Sequence, residues 1–155
     1  MSRPSPNVVV VDLRRAGLFP GSNRFGAAAT LSIITFVVSF RLHEITVDCL
    51  DIERVGRFWA GLLGGDVHEP MPGWLRLASA ADGGPMLNFQ PVPEPKKGKT
   101  RVHLDLLADD LEAATARVVA LGGSQTGERH EYDEGTVVTM ADPEGTEFCV
   151  VAFST

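Results

Sequence analysis

The sequence predicts an α+β domain built from two βαβββ modules. Three observations carry that reading: a strand, helix and strand pattern that occurs twice, a Leu-Gly-Gly triplet closing both helical stretches, and a Pro- and Lys-rich linker between the halves. The first module spans 41–90, the second 100–153, and residues 91–99 join them.

Leu42 to Leu50 opens the first module as a half-buried strand. Ile45, Val47 and Cys49 fall on one face, Glu44, Thr46 and Asp48 on the other. In the second module Val102, Leu104 and Leu106 alternate with His103, Asp105 and Leu107. Each strand leads into a helix. Asp51 is placed to cap the first, whose apolar residues Ile52, Val55, Trp59 and Leu62 recur at helical spacing beside Phe58. Asp109 with Glu112 makes a capping-box pattern ahead of the second, whose stripe is Leu111, Ala114, Val118 and Leu121. Leu63-Gly64-Gly65 and Leu121-Gly122-Gly123 then end the helices, glycine supplying the left-handed residue. Three strand-like stretches follow in each half, near 66–68, 74–78 and 86–90, then near 124–129, 136–140 and 147–151.

Residues 1–40 differ in character. They hold four arginines and one aspartate, a charge of +3, while the remaining 10 basic and 19 acidic residues give −9; the whole 155-residue chain carries −6. Arg14-Arg15 ahead of the apolar stretch 27–40 has the look of an export signal. The glycine-rich spacer with Arg24 and the lack of a small-x-small cleavage pattern favour an extension, poorly ordered or forming an edge element. The apolar stretch is also shorter than the ~20 residues of a membrane span. The expected division is therefore an extension at 1–40 and one domain at 41–155.

Composition narrows the function classes. With 44% hydrophobic and 22% charged residues the chain is neither disordered nor a disulfide scaffold. Net acidity disfavours nucleic acid as a partner, and no membrane partner is expected. Two cysteines, Cys49 and Cys149, without a Cys-x-x-Cys, fit a reducing, cytoplasmic setting.

The repeat also directs attention to a site. Each first strand packs one face on its helix, so the ionisable groups of the other face need a partner or a use. An offset of 59 pairs Glu44 with His103, Thr46 with Asp105, Asp51 with Asp110 and Gln90 with Cys149. If the two sheets curve toward each other, Glu44, Gln90, His103 and Cys149 become four pseudo-symmetric positions facing a shared cup.

Glu44-Ile45-Thr46-Val47-Asp48-Cys49, Arg57-Phe58-Trp59-Ala60-Gly61-Leu62-Leu63-Gly64, Arg101-Val102-His103-Leu104-Asp105-Leu106 and Asp142-Pro143-Glu144-Gly145-Thr146-Glu147-Phe148-Cys149 occur in order. Together they resemble a glyoxalase-like domain of the glyoxalase/bleomycin resistance/extradiol dioxygenase group, the vicinal oxygen chelate superfamily. The resemblance covers about 41–153. It implies a curved mixed sheet around a cup, a pairing of modules that favours a homodimer, and, in many members, a divalent metal acting as a Lewis acid on a chelating substrate. The usual ligand positions fall on Glu44, Gln90, His103 and Cys149. The set departs from the metal-binding pattern: Cys149 stands where a glutamate is normal, Glu147 lies two residues earlier, and the first strand offers Glu44 where a histidine is common, His43 pointing the other way. His103, Glu44 and Cys149 suit zinc if any metal. The favoured expectation is a cup with no metal cofactor and His103 hydrogen-bonded to Glu44 or Glu147.

The expected function is binding of a small organic molecule in that cup, in the manner of bleomycin-resistance proteins. The alternative is a zinc-type lyase or isomerase of glyoxalase class, with His103 as ligand or base assisted by Glu44 or Glu147. Thr46, Asp48, Gln90, Asp105 and Cys149 are the candidate ligand contacts, with Trp74 offering a stacking surface. Trp59 fits the core, Cys149 a buried inert thiol, and His68 and His130 the surface. Lys96, Lys97, Lys99 and Arg101 read first as a solvated linker and second as a trap for an anion. Asp142-Pro143-Glu144-Gly145 reads as turn chemistry.

Overall fold

In the computed structural model, residues 8–9, 36–37, 41–78 and 84–154 are described. The chain divides into two compact units, Met1–Arg41 and Leu42–Thr155. In the first, the described backbone is one antiparallel pair, β1 (Val8–Val9) with β2 (Phe36–Val37). The rest of the expected extension lies outside the described residues.

The second unit repeats one plan. Its first module runs β3 (Glu44–Cys49), α1 (Ile52–Leu63), β4 (Val67–His68), β5 (Leu75–Leu77) and β6 (Met86–Pro91). Its second runs β7 (Asp105–Leu107), α2 (Leu111–Ala120), β8 (Ser124–Tyr132), β9 (Gly135–Ala141) and β10 (Glu147–Phe153). The sheets have the orders β3-β6-β5-β4 and β7-β10-β9-β8, the same order of first, last, third and second strand. In each, the first and last strands are parallel and the other pairs antiparallel. The α+β class and the twofold βαβββ plan are those the sequence predicts.

The helices start where a carboxylate can meet a free N–H. Asp51 accepts from Arg54 N at 3.0 Å and Asp110 from Ala113 N at 2.9 Å. The second cap is thus Asp110, one residue later than the Asp109 of the capping-box pattern, and it keeps the offset of 59 from Asp51. Gly64 and Gly122 close the helices at positive φ. Behind them, the second glycine of the second triplet has its own task. A Cβ on Gly123 would stand 2.6 Å from Ala141 O and 2.8 Å from Phe58 Cε2, so only glycine lets β8 begin there.

One core serves both modules. Trp59 and Phe58 of α1 meet Phe148 of β10 at ring-centroid distances of 5.0 and 6.0 Å, and Val55, Phe89, Val118, Val138 and Met140 fill the space around them. Ile45 and Val47 turn toward this core, while Thr46 and Asp48 are exposed on the face away from it.

Two expectations need correction. The second module's opening strand begins at Asp105, not Val102. Glu147 accepts from Thr100 N at 3.0 Å, and Thr100 O in turn holds His103, so residues 100–103 form a turn and Val102 is 73% exposed. The offset of 59 fails at the last strands. Thr46 pairs with Asn88 as Asp105 pairs with Cys149, which makes Asn88, not Gln90, the counterpart of Cys149. From helix cap to last strand the second module is two residues longer, Asp110 to Cys149 against Asp51 to Asn88, and a constant offset cannot follow that.

Candidate functional site

Four clusters account for the singled-out residues. On β3, the Glu44 carboxylate is held by Arg76 Nη2 of β5 at 3.1 Å, and Arg76 Nε donates to the buried Asn88 Oδ1 of β6 at 2.7 Å. Thr46 and Asp48 stand beyond them on the same face, with Gln90 opposite Asp48. Arg76 and Asn88 escaped the sequence reading. Strand alternation from Leu75 and Leu77 was the signal that could have put Arg76 on this face.

The second cluster joins the segment ahead of β7 to β10. His103 Nε2 lies 3.2 Å from Thr100 O and its Nδ1 lies 4.0 Å from Cys149 Sγ. A carbonyl oxygen only accepts, so Nε2 carries the proton and, in the neutral ring, Nδ1 faces the thiol as an acceptor. Burial, then the charge of Asp105, push the Cys149 thiol up, which keeps it protonated and a poor nucleophile at neutral pH. The expected bond from His103 to Glu44 or Glu147 is not made; the imidazole is taken by Thr100 and Cys149.

Glu147 belongs to a third cluster. Lys96 Nζ approaches it at 2.7 Å and Thr100 donates from its N–H and its hydroxyl. These donors, Lys96 first, hold its carboxyl down at about 2. Lys96 also donates to Gly98 O at 2.6 Å. The linker is therefore tied to β10 through Lys96, where the composition alone read a solvated stretch.

The fourth cluster is the Asp142–Glu144 turn. Asp142 Oδ1 accepts from the N–H groups of Glu144 and Thr146, both at 2.9 Å, and burial raises its pKa. The indole of Trp59 lies close enough to favour the charged form of Asp142, although neither Trp59 Nε1 nor Asp142 Oδ2 completes a hydrogen bond. Glu144 then reaches into the other module, accepting from Leu50 N at 2.7 Å, Asp51 N at 2.8 Å and Arg54 Nη2 at 3.2 Å. These carboxylates, after burial itself, drive the neighbouring Cys49 thiol up to about 12.

A metal does not fit these residues. Glu44 is engaged by Arg76, Glu147 by Lys96 and Thr100, and of the ligand positions that the resemblance implies only His103 and Cys149 approach each other. Among the described residues no three His, Cys, Asp or Glu side chains converge on one point. Trp74 is half-buried just ahead of β5, and His68 and His130 are exposed.

The space that remains lies along the seam between the modules. A cavity of about 510 Å³ has Ile45, Val47 and Trp59 of the first module on one side, and Val102, Leu104 and Phe148 of the second on the other. Linker residues between Val92 and Thr100, with Thr46, Asp48, Cys49, Glu144, Thr146 and Glu147, complete its lining. A smaller cavity of about 350 Å³ continues past Ile45 and Leu104 to His103, Asp105 and Gly84. Of the candidate contacts, Thr46, Asp48 and Glu147 touch the first space, His103 and Asp105 the second. Glu44, Trp74, Gln90 and Cys149 line neither.

The comparisons agree with this architecture. A glyoxalase-like domain model matches residues 44–151. A glyoxalase/bleomycin resistance protein/dioxygenase from Nocardioides superposes with a TM-score of 0.60 at 17% identity, over 76% of this chain and 86% of that one. A glyoxalase/bleomycin resistance protein/dioxygenase family enzyme from Burkholderia phytofirmans PsJN gives 0.61 at 16% identity, over 73% and 98%. The oxidase ChaP-H1 gives 0.55 at 21% identity, over 75% and 98%. No curated protein matches the chain. At these identities the structures speak for the fold alone. The family model, which spans both modules, shows that this chain belongs to the glyoxalase-like domain family.

Proposed function

We propose that the domain binds a small organic molecule in the seam cavity without a metal ion. The observation that carries this reading is the space itself: about 510 Å³, lined by apolar side chains from both modules and, in about equal number, by polar and charged ones. That is the size of a ligand site. Two free thiols favour a reducing, cytoplasmic setting.

Trp59 lines the cavity and the chain has two tryptophans, so Trp74→Phe leaves a single reporter. A compound screen by thermal shift is expected to yield ligands that also change Trp59 emission in that variant. At a free concentration 100 times Kd such a ligand adds about 2.7 kcal/mol to the unfolding free energy. Stabilising ligands that leave Trp59 emission untouched would place the site elsewhere and overturn the reading.

A homodimer is part of the same proposal. Leu107, Tyr132 and Phe153 are 68%, 60% and 65% exposed, and their strand registers put them on one face of the second sheet with Val137 and Val151. Light scattering is expected to give twice the 16.6 kDa chain mass, and Leu107→Glu to shift it toward the monomer. A mass of one chain at every concentration would exclude the dimer.

A further inference from the structure

The seam cavity runs along the edge of a strand and not along its face. Consecutive residues of β3, Ile45 through Cys49, line it, although their side chains alternate between the core and the opposite face. Only a space beside the backbone touches both sets. β3 is the end strand of its sheet and pairs with β6 on one side alone.

The ladder tells which backbone groups face the cavity. His43 O accepts from Met86 N at 3.4 Å and Cys49 O from Val92 N at 3.0 Å, so the odd-numbered residues of β3 spend their N–H and C=O groups on β6. Successive residues of a strand direct these groups to opposite edges, so those of Thr46, Asp48 and Leu50 point outward. One outward donor is already used, since Leu50 N donates to Glu144 Oε2 at 2.7 Å. Among the described residues nothing pairs with the outward N–H and C=O of Thr46 and Asp48. Across the seam the edge of β7 is open in the same manner. Leu104 O and Ala108 N bond to β10 at 2.8 Å each, which turns the backbone groups of Asp105 and Leu107 outward.

We infer that the seam cavity takes a short peptide in extended form, added antiparallel to β3 and bonded through its main chain to Thr46 and Asp48. This rests on the reading of the cavity as a ligand site and names what that site recognises. Residues two apart that each present an N–H and a C=O along an open edge match the repeat of another extended backbone. Cross-strand partners share a face, so the peptide residue opposite Val47 directs its side chain to the apolar wall of Val47, Trp59 and Phe148. Its two neighbours, opposite Thr46 and Asp48, direct theirs to the exposed side. The antiparallel direction follows from its stronger pairing. Glu144 bounds the site at one end, because it holds the next outward N–H.

The test titrates a capped tripeptide, acetyl-Ser-Leu-Ser-amide, and its N-methylated forms into the full chain carrying Trp74→Phe, followed by Trp59 emission. The parent peptide is expected to bind at one site per chain. N-methylation of either serine removes a donor that meets β3 and is expected to weaken binding at least about tenfold, while N-methylation of the leucine leaves affinity little changed. Thr46→Pro deletes an outward donor without touching the ladder to β6, and is expected to fold and to weaken the parent peptide as much. Amide hydrogen exchange reads the edge without any substitution there: in the free chain Thr46 and Asp48 exchange faster than Ile45 and Val47, and the peptide slows both. Equal loss from methylation at serine and at leucine, loss from neither, or a bound peptide that leaves Thr46 and Asp48 exchanging freely overturns the strand pairing. Loss at leucine alone overturns the antiparallel direction. If the peptide fails to bind while other compounds change Trp59 emission, the peptide assignment falls and the ligand site stands. If no compound changes it, the ligand site falls as well.

Discussion

Trp59→Ala is expected to lower the unfolding free energy by about 4 kcal/mol, the middle of the range for truncating a large buried aromatic. Trp59 is 1% exposed and packs edge-on against Phe58 at 5.6 Å and at a tilt against Phe148 at 5.0 Å. Its position is what makes the loss large. It belongs to the helix of the first module and touches the last strand of the second, so the void opens where the modules share a core and neither sheet can close over it alone. The indole also stands beside Asp142, whose buried carboxylate loses that neighbour. Trp59→Phe separates the two effects: it keeps most of the packing, removes the N–H, and is expected to cost about 1 to 2 kcal/mol. Urea denaturation followed by circular dichroism measures both. A loss below 1 kcal/mol for the alanine variant would mean that the modules do not share the core described.

The architecture was legible because it rests on local chemistry repeated twice. The strand of alternating residues before Asp51, the helical spacing of Val55, Trp59 and Leu62, and the glycine at each helix end are short-range signals, and two copies of each reinforce one another. The resemblance carried by the ordered motifs pointed to the same family. What failed was register. Gln90 was matched to Cys149 by a constant offset, but β8 carries an irregularity between Gln125 and Arg129 and the second module is longer, so pairing places Asn88 there. The offset holds as far as the Asp51 and Asp110 caps because nothing is inserted before them.

The candidate site was legible in its residue types and less so in its contacts. Alternation put Glu44, Thr46 and Asp48 on one face, which the structure keeps. It could not show that Arg76, two strands away, would claim Glu44, or that Lys96 of the linker would claim Glu147. Both are long-range ion pairs between elements whose spacing in sequence carries no period. The linker was read as a solvated stretch because composition describes a segment and not what its side chains reach.

Glu144→Ala is expected to destabilise the protein by about 2 kcal/mol, although the sequence marks Glu144 only as a turn residue. Its carboxylate accepts from the N–H groups of Leu50 and Asp51, at the entrance of α1, and from Arg54. A carboxylate at this end of a helix is favoured by the helix dipole, and hydrogen bonds to a charged acceptor contribute about 1.5 to 3 kcal/mol. Leu50 is 50% exposed, so water can replace part of what is lost, which holds the figure near the lower end. The salt bridge is the smaller share: Arg54 is 51% exposed, and pairs of that kind contribute at most about 1 kcal/mol. Arg54→Ala is therefore expected to cost less than about 0.5 kcal/mol, and Glu144→Gln, which keeps one acceptor oxygen, about half of the alanine effect. If Arg54→Ala cost as much as Glu144→Ala, the ion pair would be the bond between the modules. If instead the order is alanine, glutamine, then the arginine variant, the turn of one module caps the helix of the other through its backbone. The 94 residues that separate Glu144 from Leu50 then make this contact a late one in folding, because so long a loop must close before the two N–H groups find their acceptor.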